Sequence, residues 1–287
     1  MAGELESPAY LTEHALESAL LPKNDPALRH ATSRSLSALS LSDVRDHYER
    51  VFRPDMTTIV VVGNVTPERA RAVIEQNFGS WKSHGPKPRT VPPSVPINRR
   101  SNTEVPNATR VQTEVTLAEM LPLTRSNPDY YSLNLGIQVL GGAFYASRLS
   151  RDLRENSGLV YDVSSTFEAN PTRALYLVSY GCDPHNVSKV RAIVERDLRD
   201  MQTSVVSEEA LNEAKVLLLQ QISLSESSVH SIAESLMSRA TSGLAPDEPA
   251  VEGSKYLRLT AQEVQAAFAK WIRPYDFVQV AEGPKSN

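Results

Sequence analysis

One pattern occurs twice in this sequence, at a constant separation along the chain. Residues 39–63, LSLSDVRDHYERVFRPDMTTIVVVG, align without a gap on residues 259–283, LTAQEVQAAFAKWIRPYDFVQVAEG. The dipeptide Arg-Pro stands at the same position of both copies. Helical spacing before it and a short apolar run after it predict a helix, a break and a strand in each copy. The chain is therefore expected to contain two related units, each closed by this pattern.

The remaining predicted elements mix strands with helices. Residues 57–64 read as a strand of the fully buried type, and residues 110–117 and 174–182 read as two further strands. Residues 207–242 are predicted to form one unusually long helix. Since the strands follow one another in pairs and the helices in groups, we expect an α+β fold with a mixed or antiparallel sheet packed by helices.

A proline-rich stretch divides the chain. Residues 82–107 contain five prolines within KSHGPKPRTVPPSVPINRR and show little periodicity, so they are interpreted as a linker. Residues 1–81 would then be the C-terminal part of a first α+β unit, and residues 108–287 a complete second unit. The first unit is expected to be truncated, as if the chain had been cut from a longer protein.

Composition narrows the class of partners. The net charge is −4 and no block of lysine or arginine stands out, which argues against nucleic acid as a partner. The longest purely aliphatic run covers residues 59–62, far short of the roughly 20 residues that span a bilayer, so no membrane span is expected. The single cysteine, Cys182, excludes a disulfide within the chain.

Neither a metal site nor a nucleophile is predicted in this chain. The six histidines are scattered, and the nearest approach to a zinc helix is the run His14-Ala15-Leu16-Glu17-Ser18. An HxxEH helix needs a second histidine where Ser18 stands, because two histidines one turn apart supply the ligands. Cys182 and His185 lie close together in sequence, but a catalytic cysteine and its base usually come from distant segments.

The stretch SRLSRDLRENSGLVYDVSS, residues 147–165, reads as a charged helix that a glycine ends before a strand begins. Arg148 with Asp152 and Arg151 with Glu155 are spaced as ion pairs on one helix face. Arg154 has Ser150 and Gly158 four positions away instead of an acid, and Tyr161 shares its alternation with Val163. These residues alone favour an arginine at the end of a helix and a half-buried strand tyrosine over a functional pair.

The same stretch resembles a segment of the pitrilysin/insulysin-type zinc metallopeptidases, a group that includes the mitochondrial processing peptidase. Their non-catalytic half carries LGGxxxSRLxxxLRExxGLxYxVxS. Its positions are filled here by Leu140-Gly141-Gly142, Ser147-Arg148-Leu149, Leu153-Arg154-Glu155, Gly158-Leu159, Tyr161, Val163 and Ser165. The segments RPDMTTIVVVGNVTPERARAVIEQNFGSW and SEEALNEAK also look like parts of that family, so the resemblance covers nearly the whole chain.

The resemblance implies two halves, each built of two similar α+β units, that close around a peptide. One half holds zinc through HxxEH and a further glutamate, and the other contributes an arginine and a tyrosine seven positions apart. Arg154 and Tyr161 have that spacing. Arg154 would bind a substrate carbonyl or carboxylate, and the Tyr161 hydroxyl would be the catalytic group that donates to the oxyanion as a zinc-bound hydroxide attacks.

This chain is accordingly expected to be the metal-free half of such a peptidase and to be inactive alone. The zinc is expected in a partner half that bears HxxEH, either in the same polypeptide or as a separate subunit, and the substrate would be a peptide bound as an added β-strand. The alternative is a purely structural or assembly subunit of the same fold, and an unrelated α+β binding domain is a third reading. Because exported bacterial members are common in the group, periplasm is favoured over cytoplasm.

Overall fold

A five-stranded mixed sheet organises most of the chain. In the computed structural model, which describes residues 6–142 and 147–284, the strand order is β1-β5-β2-β4-β3. The strands are β1 Ser101–Pro106, β2 Thr113–Leu121, β3 Val160–Ala169, β4 Ala174–Cys182 and β5 Val278–Gly283. The strands β1 and β5 run parallel, and every other neighbouring pair is antiparallel. Together with the helices that pack on this sheet, the arrangement confirms the predicted α+β class.

Eleven α-helices and five π- or 3₁₀-helical segments lie in the described residues. The α-helices are α1 Pro8–Leu20, α2 Ser33–Ser37, α3 Leu41–Val51, α4 Pro67–Phe78, α5 Tyr130–Ile137, α6 Arg148–Ser150, α7 Val187–Thr203, α8 Glu208–Ser225, α9 Val229–Thr241, α10 Glu248–Arg258 and α11 Ala261–Trp271. The π-helical segments Gln138–Gly142 and Arg151–Glu155 continue α5 and α6, and 3₁₀ turns occupy Pro26–Leu28, Pro54–Met56 and Pro184–Asn186. No described helix is both long enough and apolar enough to cross a bilayer.

The described chain divides into two units. Unit 1 takes the residues up to Arg29, the segment Pro92–Gln220 and the residues from Val251 onward, and it contains the whole sheet. Unit 2 takes His30–Val91 and Gln221–Ala250. Segments of the two units thus alternate along the chain. The predicted division differs, because it placed one continuous segment before residue 82 and another after residue 107. The sequence assigns residues 1–81 to a first repeat unit and residues 108–287 to a second. This assignment stays a prediction.

The sheet of unit 1 is buried by helices. Leu20 of α1 forms one apolar cluster with Val105, Ala118 and Met120 of the sheet. The helix α11 packs against both α5 and α7, and a Cβ on Gly136 of α5 would come within 2.7 Å of a Val264 methyl. A side chain larger than hydrogen at that position would therefore separate α5 from α11.

The linker prediction is wrong for residues 101–106, because these residues form β1 alongside β5. Val95, also within the predicted linker, is buried in the apolar cluster of α1. Pro106 stands at the end of this edge strand, where the missing N–H interrupts no inner ladder. The five prolines at residues 86–96 lie before β1, so the predicted linker extends past the proline-rich stretch into the sheet.

The single long helix predicted at residues 207–242 is also wrong. It is interrupted between α8 and α9, where serine side chains bind nearby backbone groups. The hydroxyl of Ser225 donates to the Ile222 carbonyl, and Ser228 begins α9 with a capping box that Ser231 completes. Serine competes for backbone hydrogen bonds in this way, which favours helix ends over helix interiors.

The buried strand predicted at residues 57–64 does not form. Residues 57–62 form neither a helix nor a strand, and they pair with no strand of the described chain. Ile59 and Val61 are about half exposed instead of buried. An apolar run can be a buried strand only where other strands pair with it, and the described residues of unit 2 offer none.

Candidate functional site

Arg154 lies in the widened last turn of a short helix. Ser147 begins α6, its hydroxyl accepting a hydrogen bond from the Ser150 N–H at 3.3 Å. Within the π-helical segment that follows, the Asn156 N–H donates to the Arg151 carbonyl five residues earlier, at 2.8 Å. Such π-turns are uncommon and occur often at functional sites.

The i,i+4 pairing predicted for this helix does not match the contacts observed. Asp152 pairs with Arg196 of α7, and Arg151 approaches Asp152 at 3.7 Å rather than Glu155. In a π-turn, residues four apart no longer stack on one face, because the turn holds more than four residues. The contact with α7 fixes the segment that carries Arg154.

Gly158 turns the chain directly from the helix into β3. Its φ of +59° lies in the left-handed region that glycine adopts without strain. The Gly158 N–H donates to the Arg154 carbonyl at 3.0 Å, and the Leu159 N–H donates to the Leu153 carbonyl at 2.9 Å. These bonds hold the backbone of Arg154 close to the start of the strand, as the glycine stop in the sequence indicates.

Tyr161 lies in a β-bulge on β3. Val160 pairs with Cys182 and Val163 with Tyr180, so Tyr161 and Asp162 together stand opposite Gly181. The extra residue breaks the alternation that the sequence assigns to Tyr161 and Val163: Val163 is buried, whereas Tyr161 is 74% exposed. The expectation of a half-buried strand tyrosine is therefore wrong, since a bulge redirects the side chains around it.

The bulge and the Gly158 turn bring Arg154 and Tyr161 into contact. The guanidinium carbon of Arg154 lies 5.4 Å from the centroid of the Tyr161 ring. This is within the roughly 6 Å over which a cation is attracted to an aromatic face. The contact leaves the tyrosine largely open to solvent, so a cationic fork and a phenolic hydroxyl are presented side by side.

The position of this pair at the margin of the sheet follows from the strand order. β3 is the last strand, and among the described residues it pairs only with β4. Thr166 and Glu168 point outward and are exposed, whereas Val163 and Ser165 are buried. An edge of this kind offers backbone donors and acceptors to an added strand.

The glycines of the LGG motif bring the preceding helical segment close to β3. A Cβ on Gly141 would lie 2.5 Å from the Ser165 Cβ and 3.1 Å from a Leu149 methyl. The Ser165 hydroxyl donates in turn to the buried Tyr176 hydroxyl at 2.9 Å. Sequence reasoning did not identify Gly141 and Ser165 as a contact, although both belong to the motif that singled out Arg154 and Tyr161.

The other two residues considered in the sequence, His14 and Cys182, are not placed for catalysis. His14 stacks on Tyr10 within α1, and Ser18 stands where HxxEH requires its second histidine. The residues present therefore do not provide the HxxEH ligand set. Cys182 is fully buried, and that burial, with help from nearby acids, raises the pKa of its thiol to about 11. A thiol that stays protonated at neutral pH is a poor nucleophile.

Comparison with known proteins covers most of the chain. A family model described as the peptidase M16 inactive domain matches residues 38–218. A protein of Mycobacterium leprae named as an uncharacterized zinc protease is 26% identical over 64% of this chain and 41% of its own length. The uncharacterized zinc protease YmxG of Bacillus subtilis is 23% identical over 70% of this chain and 47% of its own length. The chain thus spans less than half the length of these two relatives.

The fold is also similar to a solved structure. The crystal structure of a peptidase M16 inactive domain from Pseudomonas fluorescens superposes with a TM-score of 0.83 at 23% sequence identity. The superposition covers 98% of this chain and 67% of that one. The shared architecture therefore extends over both units of the chain.

Proposed function

Because the chain belongs to the peptidase M16 inactive-domain family, we propose that it acts as the metal-free half of a zinc endopeptidase. In this role it helps to bind a peptide and stabilises the transition state of its hydrolysis, while the chain alone is inactive. The observation that carries the proposal is the contact of Arg154 with the exposed ring of Tyr161 at the bulged edge of the sheet.

The two side chains supply complementary chemistry. The guanidinium of Arg154 is a planar cation with several donors, suited to a peptide carbonyl or carboxylate. The hydroxyl of Tyr161 can donate a hydrogen bond to an oxygen on which negative charge develops. Stacking on the arginine restricts the tyrosine ring, so less conformational freedom is lost when the substrate binds.

The outer edge of β3 is proposed as the place where the peptide adds. An added strand would form backbone hydrogen bonds, which do not depend on side chains and tolerate varied sequences. Tyr161 lies on this strand, so a peptide bound along it would pass beside the arginine–tyrosine pair. The bulge would locally interrupt the ladder and leave the peptide backbone accessible there.

The zinc belongs to the partner half in this proposal. Ser18 occupies the position of the second histidine ligand, so this chain does not offer the HxxEH set. The partner would carry HxxEH, either in the same polypeptide or as a separate subunit, and the two halves would enclose the peptide between them.

Turnover of a fluorogenic peptide by the chain mixed with an HxxEH-bearing half tests the role of Tyr161. Tyr161→Phe removes only the hydroxyl and is expected to lower kcat by about 100-fold with little change in KM, because the hydroxyl acts mainly in the transition state. Tyr275→Phe is the matched control: Tyr275 is half exposed, and the guanidinium carbon of Arg199 lies 5.6 Å from its ring centroid. Equal kinetics for both variants would contradict the assignment.

Arg154→Ala in the same assay tests substrate binding. Loss of a charge-assisted hydrogen bond of about 1.5–3 kcal/mol would lower kcat/KM by roughly 10- to 100-fold. Arg199→Ala serves as its control, since it removes the arginine of a second exposed arginine–tyrosine contact, that with Tyr275. The alternative is a purely structural or assembly subunit, in which the Arg154–Tyr161 contact contributes only to packing. It would be favoured if the partner needs the chain for activity but tolerates both variants.

A further inference from the structure

Three charged side chains join α7 to the segment that carries Arg154. One terminal nitrogen of Arg196, on α7, donates both to Asp152 of the π-helical segment and to Asp197 of α7. This nitrogen lies 2.7 Å from the Asp197 Oδ1, and the Arg196 Nε donates to the same oxygen at 3.0 Å. One guanidinium therefore bridges two carboxylates, one on each side of the contact.

The two carboxylates that share Arg196 have different surroundings. Asp197 is buried in unit 1, and its second oxygen, Oδ2, is buried too and accepts no hydrogen bond from the described residues. Asp152 is partly exposed and organises its own turn, since its carbonyl accepts from the Ser157 hydroxyl at 2.6 Å and its Oδ1 from the Asn156 amide at 3.3 Å. The bridge thus links an interior residue of α7 to a turn near the surface.

Arg154 follows Asp152 by two residues in the same π-turn. Leu153, between them, is fully buried, and its carbonyl accepts a hydrogen bond from the Leu159 N–H at 2.9 Å. A shift of Asp152 would therefore move the backbone that carries Arg154, and with it the contact between Arg154 and Tyr161. In active sites a displacement of about 1 Å can cost about 100-fold in rate.

We propose that the bridge of Asp152, Arg196 and Asp197 positions Arg154 for substrate binding, and that it does so only while Asp197 is ionised. Arg196 is then a positioning residue, which acts through the turn that it fixes against α7. The inference rests on the proposed function, because that function assigns a substrate to Arg154. It adds a dependence on acid to the same site.

Protonation of Asp197 weakens the bridge. Burial raises the pKa of this carboxyl to about 6; Arg196 and Arg148 counteract burial, whereas the charge of Asp152 adds to it. Charged groups thus face Asp197 from α6, from the π-helical segment and from α7 itself. Above this pH the carboxylate holds Arg196 through charge-assisted hydrogen bonds, and below it the neutral acid attracts the guanidinium less strongly.

The pH dependence of peptide turnover tests the bridge, with the chain mixed with an HxxEH-bearing half. Asp197→Asn keeps the shape of the side chain and removes its charge, so it should lower kcat/KM about tenfold at pH 7.5 and much less at pH 5. Dividing the wild-type value by the variant value at each pH cancels the titration of the partner half. This ratio should rise with a midpoint near pH 6. A ratio independent of pH would overturn the proposal, because a purely structural defect has no such midpoint.

Glu195→Gln is the matched control on the same helix. Glu195 pairs with Arg191 at 2.8 Å, and Arg191 also donates to Gln279 of β5, away from the turn that carries Arg154. This acid-to-amide change should give a ratio near one at every pH, and a loss equal to that of Asp197→Asn would overturn the assignment. Arg196→Ala changes a half-exposed side chain and should match the loss of Asp197→Asn at pH 7.5, so the test stands even if the buried variant folds poorly.

Amide hydrogen exchange of the chain alone separates this inference from the proposed function. The N–H groups of Gly158 and Leu159 close the turn on the carbonyls of Arg154 and Leu153. At pH 7.5 they should exchange at least about threefold faster in Asp197→Asn than in the wild type, and at the wild-type rate in Glu195→Gln. Unchanged exchange in Asp197→Asn would overturn the bridge. Faster exchange together with unaltered kinetics of Tyr161→Phe and Arg154→Ala would instead contradict only the proposed function.

Discussion

At the residue scale, the buried ion pair of Glu119 with Arg273 leads us to expect that the stability of the chain depends on pH. Glu119 on β2 is fully buried, accepts a hydrogen bond from the Arg273 backbone N–H at 3.2 Å and pairs with the Arg273 guanidinium at 3.2 Å. Burial raises the pKa of Glu119 to about 7, and the arginine offsets only part of that effect. Asp197 on α7 behaves similarly, because its burial raises the pKa to about 6.

The free energy of unfolding should therefore fall as the pH rises from 5 to 8. Over this range the unfolded chain has already released the Glu119 proton, whereas the folded chain releases it only near its higher pKa, which costs up to about 3 kcal/mol. Urea unfolding at several pH values measures the slope, and Glu119→Gln should reduce it to what Asp197 and other groups contribute. An unchanged slope in that variant would show that Glu119 does not titrate in this way.

The candidate pair shows how far a single residue can be predicted from sequence. The seven-residue spacing and the motif around it identified Arg154 and Tyr161, and Gly158 was correctly interpreted as the helix stop. Strict alternation, however, predicts that Tyr161 and Val163 lie on the same face of the strand. In the structure a bulge opposite Gly181 changes that alternation. A bulge depends on how two strands are paired, and that information is not contained in either strand alone.

At the scale of elements, the glycines of the LGG motif differ in what they allow. Gly141 is buried against Ser165 of β3 and Leu149 of α6, so a larger residue would push a helix away from a strand. Gly142 is exposed, and the nearest described atoms that a Cβ there would meet belong to the flexible side chain of Gln138. The two neighbouring glycines therefore form a matched pair within one π-helical segment.

Gly141→Ala should lower the free energy of unfolding by about 1–3 kcal/mol, the usual cost of overpacking a core. Gly142→Ala should change it by less than about 1 kcal/mol, since the side chain of Gln138 can move aside and alanine favours helical backbone. Denaturant unfolding of both variants measures the difference. Equal stability of the two variants would show that the contact between Gly141 and β3 is looser than its geometry indicates.

Elements were predicted well where local signals and pairing agree. The strand predicted at residues 174–182 has the observed bounds, and its pairing with β2 and β3 agrees with its apolar pattern. The failures have physical causes: serine side chains end α8, the residues just after the proline-rich stretch pair with β5 as β1, and residues 57–62 have no strands beside them. Hydrophobicity indicated where a segment could be buried, but not whether another element was present to bury it.

At the scale of the whole molecule, the isolated chain should not hydrolyse peptides. Ser18 replaces the second histidine of HxxEH, and the arginine–tyrosine pair has no activated water to act on by itself. Incubation of the pure chain with a fluorogenic peptide, with and without a zinc chelator, measures this directly. Chelator-sensitive hydrolysis that copurifies with the chain would contradict its assignment as a metal-free half.

The repeat also allows the stabilising effect of burial to be compared at two equivalent helix positions within one molecule. Phe268 and Tyr48 stand at equivalent places of two helices of equal length that both begin with a capping box, yet one is fully buried and the other is mostly open to water. Truncation to alanine should cost about 3–5 kcal/mol at Phe268 and less than about 1 kcal/mol at Tyr48. The difference between the two costs, measured in one chain under one set of conditions, gives the stability that an aromatic residue at this place in the helix gains from the neighbours that bury it.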